Sequence, residues 1–275
     1  LNADNLHCLA MLKRVTAKQR CLVSMEYSRD QLFDAPGSSL TCCCVLEVIN
    51  NQLFIVIHDR HARLPVMPVE SIPATFGGTA LFMVSNAMHA IVATYLAGVG
   101  VETIQTAMNS FASSYESTPG RLNVFDDLPF RIIMDFAHNP DGMSRVCEFI
   151  DQQEVLGRKL VAFAGSVDRT DETIRRMGKS MARHFDFYFC KEYLRADGTQ
   201  PRTVAHILQQ GLIEAGVADN QIALTTHGQD VIFEIFDACQ PGDLLLMLLG
   251  HVEKHLMSGY IQNYASKLSK HPGPA

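Results

Sequence analysis

The apolar positions divide the chain into two differently patterned parts. Two apolar runs, residues 41–48 and 52–57, flank Asn50-Asn51, and together they read as a β-hairpin about a turn-forming pair. Asp59 to Arg63 reads as a polar turn, and Pro65, Pro68 and Pro73 mark an extended connector. From residue 80 to 96 the apolar positions recur at helical spacing, which predicts a buried helix. A second helix is predicted over 101–111, after Gly98-Val99-Gly100. Residues 113–120 are small and turn-prone and read as a linker. Beyond them, strand-like runs at 132–135, 160–164, 187–190, 222–225 and 244–249 alternate with helix-like runs at 140–153, 171–184, 202–215 and 230–239. That alternation predicts an α/β fold with a doubly wound, mostly parallel sheet. Residues 266–275 read as a loose tail, and no internal repeat is present.

Composition narrows the class. Of the 275 residues 47% are hydrophobic and 19% charged, so a buried core is expected. The net charge is -6, and no Lys/Arg run exceeds two residues, which argues against a nucleic-acid partner. No apolar run approaches the ~18–20 residues that span a bilayer, which argues against a membrane partner. The eight cysteines include no Cys-x-x-Cys pair, so neither a zinc ribbon nor a redox motif is expected. Cys42-Cys43-Cys44 lies in a strand-like run, where neighbours face opposite ways and cannot chelate together. Reduced thiols and a cytoplasmic location are the default expectation.

The candidate chemistry is concentrated at Met134-Asp135-Phe136-Ala137-His138-Asn139-Pro140-Asp141. Here a strand ends in an acid and passes through a turn into a helix. In α/β folds that junction is where ligands bind, and the helix N-terminus suits phosphate or carboxylate. Arg121, in Thr118-Pro119-Gly120-Arg121, adds a permanent cation with a bidentate fork. By itself Asp135 reads equally as a turn cap, His138 as a surface histidine and Asn139 as a turn residue. Asn86 reads as an amide inside an apolar helix in need of a partner. Asp168 reads as an N-cap, with Asp171 and Glu172 suiting the first turn that follows. Gly178-Lys179-Ser180 resembles the end of a Walker A loop, but the required earlier glycine is Thr173, and the segment falls inside a helix.

Taken together, five segments in order resemble the Mur ligase superfamily. They are Leu1-Asn2-Ala3-Asp4-Asn5, Thr75-Phe76-Gly77-Gly78 running on to Asn86, Ser117 to Asn123, the Asp-Phe-Ala-His-Asn-Pro turn, and Gly165 to Glu172. The Phe-Gly-Gly and Ser-Thr-Pro-Gly-Arg elements look most like the C-terminal ligase part of cyanophycin synthetases. The resemblance implies a division into residues 1–117, the back half of a central ATPase domain, and 118–265, a Rossmann-like C-terminal domain, with 266–275 as the tail. It implies an ATP-dependent amide ligase that joins an amino acid, arginine by analogy, to a carboxylate through an acyl phosphate. ATP and Mg2+ are the implied cofactors, and an amino acid or peptide is the implied substrate. Arg121 would reach the ATP phosphates. Asp135, His138 and Asn139 would line the nucleotide pocket, Asn86 would contact adenine, and Glu192 and Arg195 would receive the amino acid. Met83 stands where the family often has a second polar base contact. The family's P-loop, its magnesium-binding acid and its carbamylated lysine would all precede Leu1, so ATP binding by these residues alone is expected to be weak and catalysis absent. A truncated, non-catalytic paralogue serving binding or oligomerisation, pairing with itself or with a complete ligase, is an alternative. A folate polyglutamate ligase-like fragment is another.

Overall fold

The computed structural model describes the chain except residues 35–38, 60–61, 166–167, 193–203, 226–228, 249, 251–252 and 271–275. The chain separates into two compact units, Leu1–Ala112 and Ser113–Ala275. The break lies in the small-residue stretch, a few residues ahead of the division read from sequence.

The first unit contains α1 (Leu6–Leu12), β1 (Cys21–Ser24), α2 (Arg29–Phe33), β2 (Cys42–Ile49), β3 (Gln52–Asp59), β4 (Arg63–Pro68), α3 (Leu81–Leu96) and α4 (Val101–Ser110). Its sheet runs β1-β2-β3-β4, with β1 parallel to β2 and the other pairs antiparallel. Asn50 and Asn51 both adopt left-handed backbone, φ 51° and 64°, as a tight hairpin turn requires. The connector expected around Pro65 and Pro68 is instead the edge strand β4. Proline lacks a donor, but an edge strand has one row of backbone groups without a neighbour, and that is where proline is tolerated. The cysteine triplet alternates across the sheet. Cys42 and Cys44 join Ile55, Ile57 and the α3 residues Val84, Met88 and Ile91, while Cys43 packs with Leu22, Leu32 and Leu40. All three are buried free thiols.

The second unit contains β5 (Asn123–Phe125), β6 (Arg131–Asp135), α5 (Pro140–Asp151), β7 (Lys159–Ala164), α6 (Asp171–Met181), β8 (Phe187–Lys191), α7 (Val204–Glu214), β9 (Ile222–Thr225), α8 (Gln229–Asp237), β10 (Leu244–Leu248) and α9 (Glu253–Lys270). The sheet order is β5-β6-β10-β7-β8-β9, and every pair is parallel except the edge pair β5/β6. The chain steps outward from β6 through β7 and β8 to β9. It then returns to place β10 between β6 and β7. Because βαβ crossovers are right-handed, reversing direction sends the helices to the other face. One sheet face, with Ile132, Met134, Leu160, Ala162, Leu245 and Met247, accordingly packs against α8 and α9 through Ile232, Ile235, Phe236, Met257, Ile261 and Tyr264. Helices α5, α6 and α7 pack in sequence with one another. The fold is thus a Rossmann-like, doubly wound α/β sheet.

In this second unit two elements differ from expectation. Strand β5 lies where only a motif run was read. Residues 266–270, expected to be loose, continue α9, whose Met257, Ile261 and Tyr264 recur at helical spacing and bury one stripe. The Gly178-Lys179-Ser180 segment lies within α6. A side chain at Gly178 would place Cβ 2.3 Å from the Leu208 carbonyl oxygen, and one at Gly211 would lie 2.2 Å from that of Arg175. Those two glycines let α6 and α7 cross backbone to backbone, so Gly178 has a packing role.

Candidate functional site at the switch point of the sheet

Strand β6 leads into α5 on one face and its neighbour β10 leads into α9 on the other. Their carboxyl ends are therefore the point where the winding reverses, the place where open α/β sheets bind ligands. Asp135 is the last residue of β6 and pairs in register with Leu248 at the end of β10. It is 5% exposed. One carboxylate oxygen accepts the Leu122 N–H at 3.1 Å, and the other accepts the Ala137 N–H at 2.8 Å. Burial raises the Asp135 pKa above the ordinary carboxylate value, opposed by those N–H groups and by the nearby Arg121 cation.

Asp135 therefore fastens the Pro-Gly-Arg turn to the end of β6. Within the turn, Gly120 (φ 80°) and Leu122 (φ 47°) are both left-handed, and Arg121 stands between them. Leu122 is fully buried. A non-glycine residue in that conformation persists only when its surroundings over-determine it. The exposed Arg121 side chain carries its guanidinium 5.4 Å from the centroid of the Phe136 ring, a cation–π distance. The His138 ring packs on the same phenyl at 5.1 Å. Its Nδ1 lies 3.0 Å from the Phe136 carbonyl oxygen, which can only accept, so Nδ1 is the donor in this contact. Arg121, Asp135, Phe136 and His138 thus form one group.

Asn139 is the N-cap of α5, and its side-chain oxygen accepts the Gly142 N–H at 2.8 Å. Pro140, the next residue, brings no N–H. This corrects the expectation that the helix end itself offers an anion site. Asn139 occupies one donor, Pro140 removes another, and Asp141 adds a negative charge to the first turn. The permanent positive charge of the group is Arg121.

Three other expectations change. Asn86 is exposed, because the buried stripe of α3 runs through Val84, Ala87, Met88, Ile91 and Val92 and leaves position 86 outward. It needs no core partner, and its amide makes only a 3.7 Å contact to the Met83 sulfur. Glu192, expected to receive the amino acid, is buried. Its oxygens accept the N–H groups of Val204 at 3.0 Å and Ala205 at 3.3 Å, tying β8 to the start of α7. The N-cap of α6 is Thr170, which accepts the Thr173 N–H, and Asp168 instead lies 4.0 Å from Arg169. Arg195 lies outside the described residues. Among the described residues no three His, Cys, Asp or Glu side chains converge as a metal site. Nor is any helix among them long and apolar enough to cross a membrane.

Sequence reasoning passed over Phe136, the Leu122 N–H and Asn123. Phe136 carried a signal, since it occupies the aromatic position of the motif. The other two are legible only once the turn is folded.

Comparison with known proteins agrees with this geometry. Residues 120–248 match the family model described as Mur ligase, glutamate ligase domain. A cyanophycin synthetase from Geminocystis herdmanii is 32% identical over 160 residues, 58% of this chain and 18% of that protein. The Staphylococcus aureus UDP-N-acetylmuramoyl-L-alanyl-D-glutamate–L-lysine ligase is 27% identical over 200 residues, 72% of this chain and 38% of the ligase. The chain thus spans well under half the length of these relatives. Among solved structures, E. coli FolC in complex with DHPP and ADP superposes with a TM-score of 0.58 at 16% identity, covering 90% of this chain and 54% of FolC. MurF ligase from Thermotoga maritima in complex with ADP gives 0.54 at 13% identity, covering 94% of this chain and 56% of MurF. The fold and the matched region together place residues 120–248 in the Mur ligase family, as its C-terminal, glutamate ligase domain.

Proposed function

We propose that this chain is part of an ATP-dependent ligase that makes an amide bond between a carboxylate and an amino acid. The carboxylate would be phosphorylated to an acyl phosphate, and the amine would then displace phosphate at the carbonyl carbon. Arginine is the proposed amino acid, by analogy with the cyanophycin synthetases. The observation that carries the proposal is Arg121, a permanent cation stacked on Phe136 and anchored through Leu122 to the buried Asp135, at the switch point of a doubly wound sheet. A guanidinium held there suits the phosphates of a nucleotide. His138 and Asn139 would border the same nucleotide. Glu192 and Arg195 would form the amino-acid side. The ADP bound in the FolC and MurF structures supports nucleotide use in proteins of this fold.

ATP supplies the phosphoryl group and Mg2+ the charge neutralisation that such transfer needs. The donor set here fits the anionic nucleotide through Arg121. Among the described residues no group of three His, Cys, Asp or Glu side chains converges to hold a metal ion. The contribution of these residues is to hold charge and orientation: Asp135 fixes the turn, the turn fixes Arg121, and Arg121 faces phosphate.

Titration of the 15N-labelled chain with ADP tests this reading. The expected perturbations are at the amides of Leu122, Phe136, Ala137 and Gly142. Perturbations confined to other residues, or none at millimolar ADP, would remove the nucleotide from this site.

A further inference from the structure

Asn123 is 1% exposed, and it is neither charged nor part of the expected nucleotide contacts. Its side chain makes four hydrogen bonds, all to backbone. The oxygen accepts the Gly120 N–H at 2.7 Å. The amide nitrogen donates toward the carbonyls of Thr118 at 3.1 Å, Arg121 at 3.4 Å and Ser113 at 3.4 Å. One amide thus ties both residues flanking Pro119, the carbonyl of Arg121 itself and the first residue of the unit. An amide nitrogen has two hydrogens, so the three carbonyls share them, with Thr118 at 3.1 Å the nearest and the two at 3.4 Å the weaker.

No other residue type provides the same set. Asp would keep the acceptor and lose every donor, and Ala would lose both. Leu would fill the space and leave the buried Gly120 N–H without this partner. The backbone itself adds only Arg121 N–H to Thr118 carbonyl, at 3.1 Å. Two left-handed residues in a three-residue span are an unfavourable conformation for a chain to hold by itself. Asn123 closes that span from the inside, while Asp135 holds it from below through Leu122. The direction in which Arg121 leaves the backbone follows from these two anchors.

We propose that Asn123 is a positioning residue: it holds the Gly120–Leu122 turn so that the Arg121 guanidinium lies over Phe136, preorganised toward the anion. The proposal rests on the reading of Arg121 as the phosphate-facing group. It adds to that reading a residue that touches no ligand and acts only through the backbone it ties.

The test uses the chain as it is, with Asn123→Ala, Arg121→Ala and the double variant. The first readout is the Arg121 side-chain Nε–H resonance, which the Phe136 ring shifts upfield and which Phe136→Leu calibrates. Asn123→Ala is expected to remain folded, with dispersed amide signals, and to lose that upfield shift. A purely stabilising residue would leave the shift in the folded population unchanged, and that result overturns the proposal. The second readout is ADP affinity. Asn123→Ala should weaken it about tenfold in the wild-type background and leave it unchanged in the Arg121→Ala background. Equal weakening in both backgrounds also overturns it. Should Arg121→Ala itself leave ADP affinity unchanged, the nucleotide reading fails, while the ring-current readout still decides whether Asn123 orients Arg121. Should Asn123→Ala not fold, Asn123→Asp carries the same test, because it is isosteric, keeps the acceptor for Gly120 and loses the donors.

Discussion

Asp135 accepts the backbone N–H of Leu122 across 3.1 Å, joining the end of β6 to a turn thirteen residues earlier in the chain. A second oxygen holds Ala137, so one carboxylate organises both sides of the candidate site. Replacing it with Ala leaves the buried Leu122 N–H without this partner, at about 1–3 kcal/mol, and removes the bond to the half-buried Ala137 N–H, worth about 1 kcal/mol. Asp135→Ala is therefore expected to lose about 2–4 kcal/mol of stability in urea denaturation and to weaken ADP binding. A variant as stable as the wild type would show that Asp135 is not an anchor.

Gly178 and Gly211 meet at the crossing of α6 and α7, where a Cβ at position 178 would lie 2.3 Å from the Leu208 carbonyl. Backbone cannot move aside as a flexible side chain can, so the helices must separate. Gly178→Ala is expected to cost about 1–3 kcal/mol, as overpacking does. Lys179→Ala, by contrast, should leave ADP affinity unchanged, because Lys179 pairs with Glu214 at 2.7 Å on the helix surface. Loss of ADP binding in Lys179→Ala would revive the Walker-like reading of that segment.

Asp243 lies beneath the amino end of the sheet. It accepts the Arg158 guanidinium at 2.6 Å and the N–H groups of Arg158 and Gln240, each at 2.8 Å. Burial pushes its carboxyl up, but the hydrogen bonds from Arg158 and Gln240 outweigh burial and hold the pKa below the ordinary value. A group whose folded pKa is depressed contributes stability above its unfolded pKa, about 3.9 for Asp. That contribution is lost as pH falls through the folded pKa. Wild type should therefore lose stability more steeply below about pH 4 than Asp243→Asn, and at pH 7 the variant should be about 1–3 kcal/mol weaker. Parallel acid limbs in the two proteins would contradict this assignment.

The fold was legible in the sequence where one element buried one clear pattern. The runs at 132–135, 160–164 and 244–249 became β6, β7 and β10, and the Asn50-Asn51 pair became a left-handed turn. Elements with thin or mixed patterns were missed. Among the described side chains of α9 the buried stripe is Met257, Ile261 and Tyr264 among many polar residues, and β4 carries prolines that normally exclude strands. The candidate site was half legible. Arg121 and Asp135 announced themselves by residue type and motif. That Leu122 would bridge them, and that Asn123 would tie the turn, depends on side-chain-to-backbone bonds that no spacing encodes. Asn86 was misread because an apolar helix was taken as buried all round, whereas one face of α3 is open.

In a ligase carrying this chain, Arg121→Ala should depress amide-forming turnover far more than it raises the amino-acid KM. A cation aimed at the transferring phosphate acts on charge that develops in the transition state. Losing one such group costs roughly 3–4 kcal/mol, about a hundred-fold to a thousand-fold in rate. Arg121→Lys should restore only part, because a point charge lacks the planar fork. A variant with raised KM and unchanged kcat would place Arg121 on the amino acid instead.

We propose that Arg121 reads the phosphates of a nucleotide. The most direct measurement of this is the Arg121 Nε–H resonance and the dissociation constant during parallel titrations with ADP and adenosine, for the wild type and Arg121→Ala. ADP, and not adenosine, is expected to shift the resonance. Arg121→Ala is also expected to weaken ADP about tenfold or more while leaving adenosine unaffected, as for loss of a hydrogen bond to a charged group. Equal ADP affinity in wild type and Arg121→Ala would contradict the proposal.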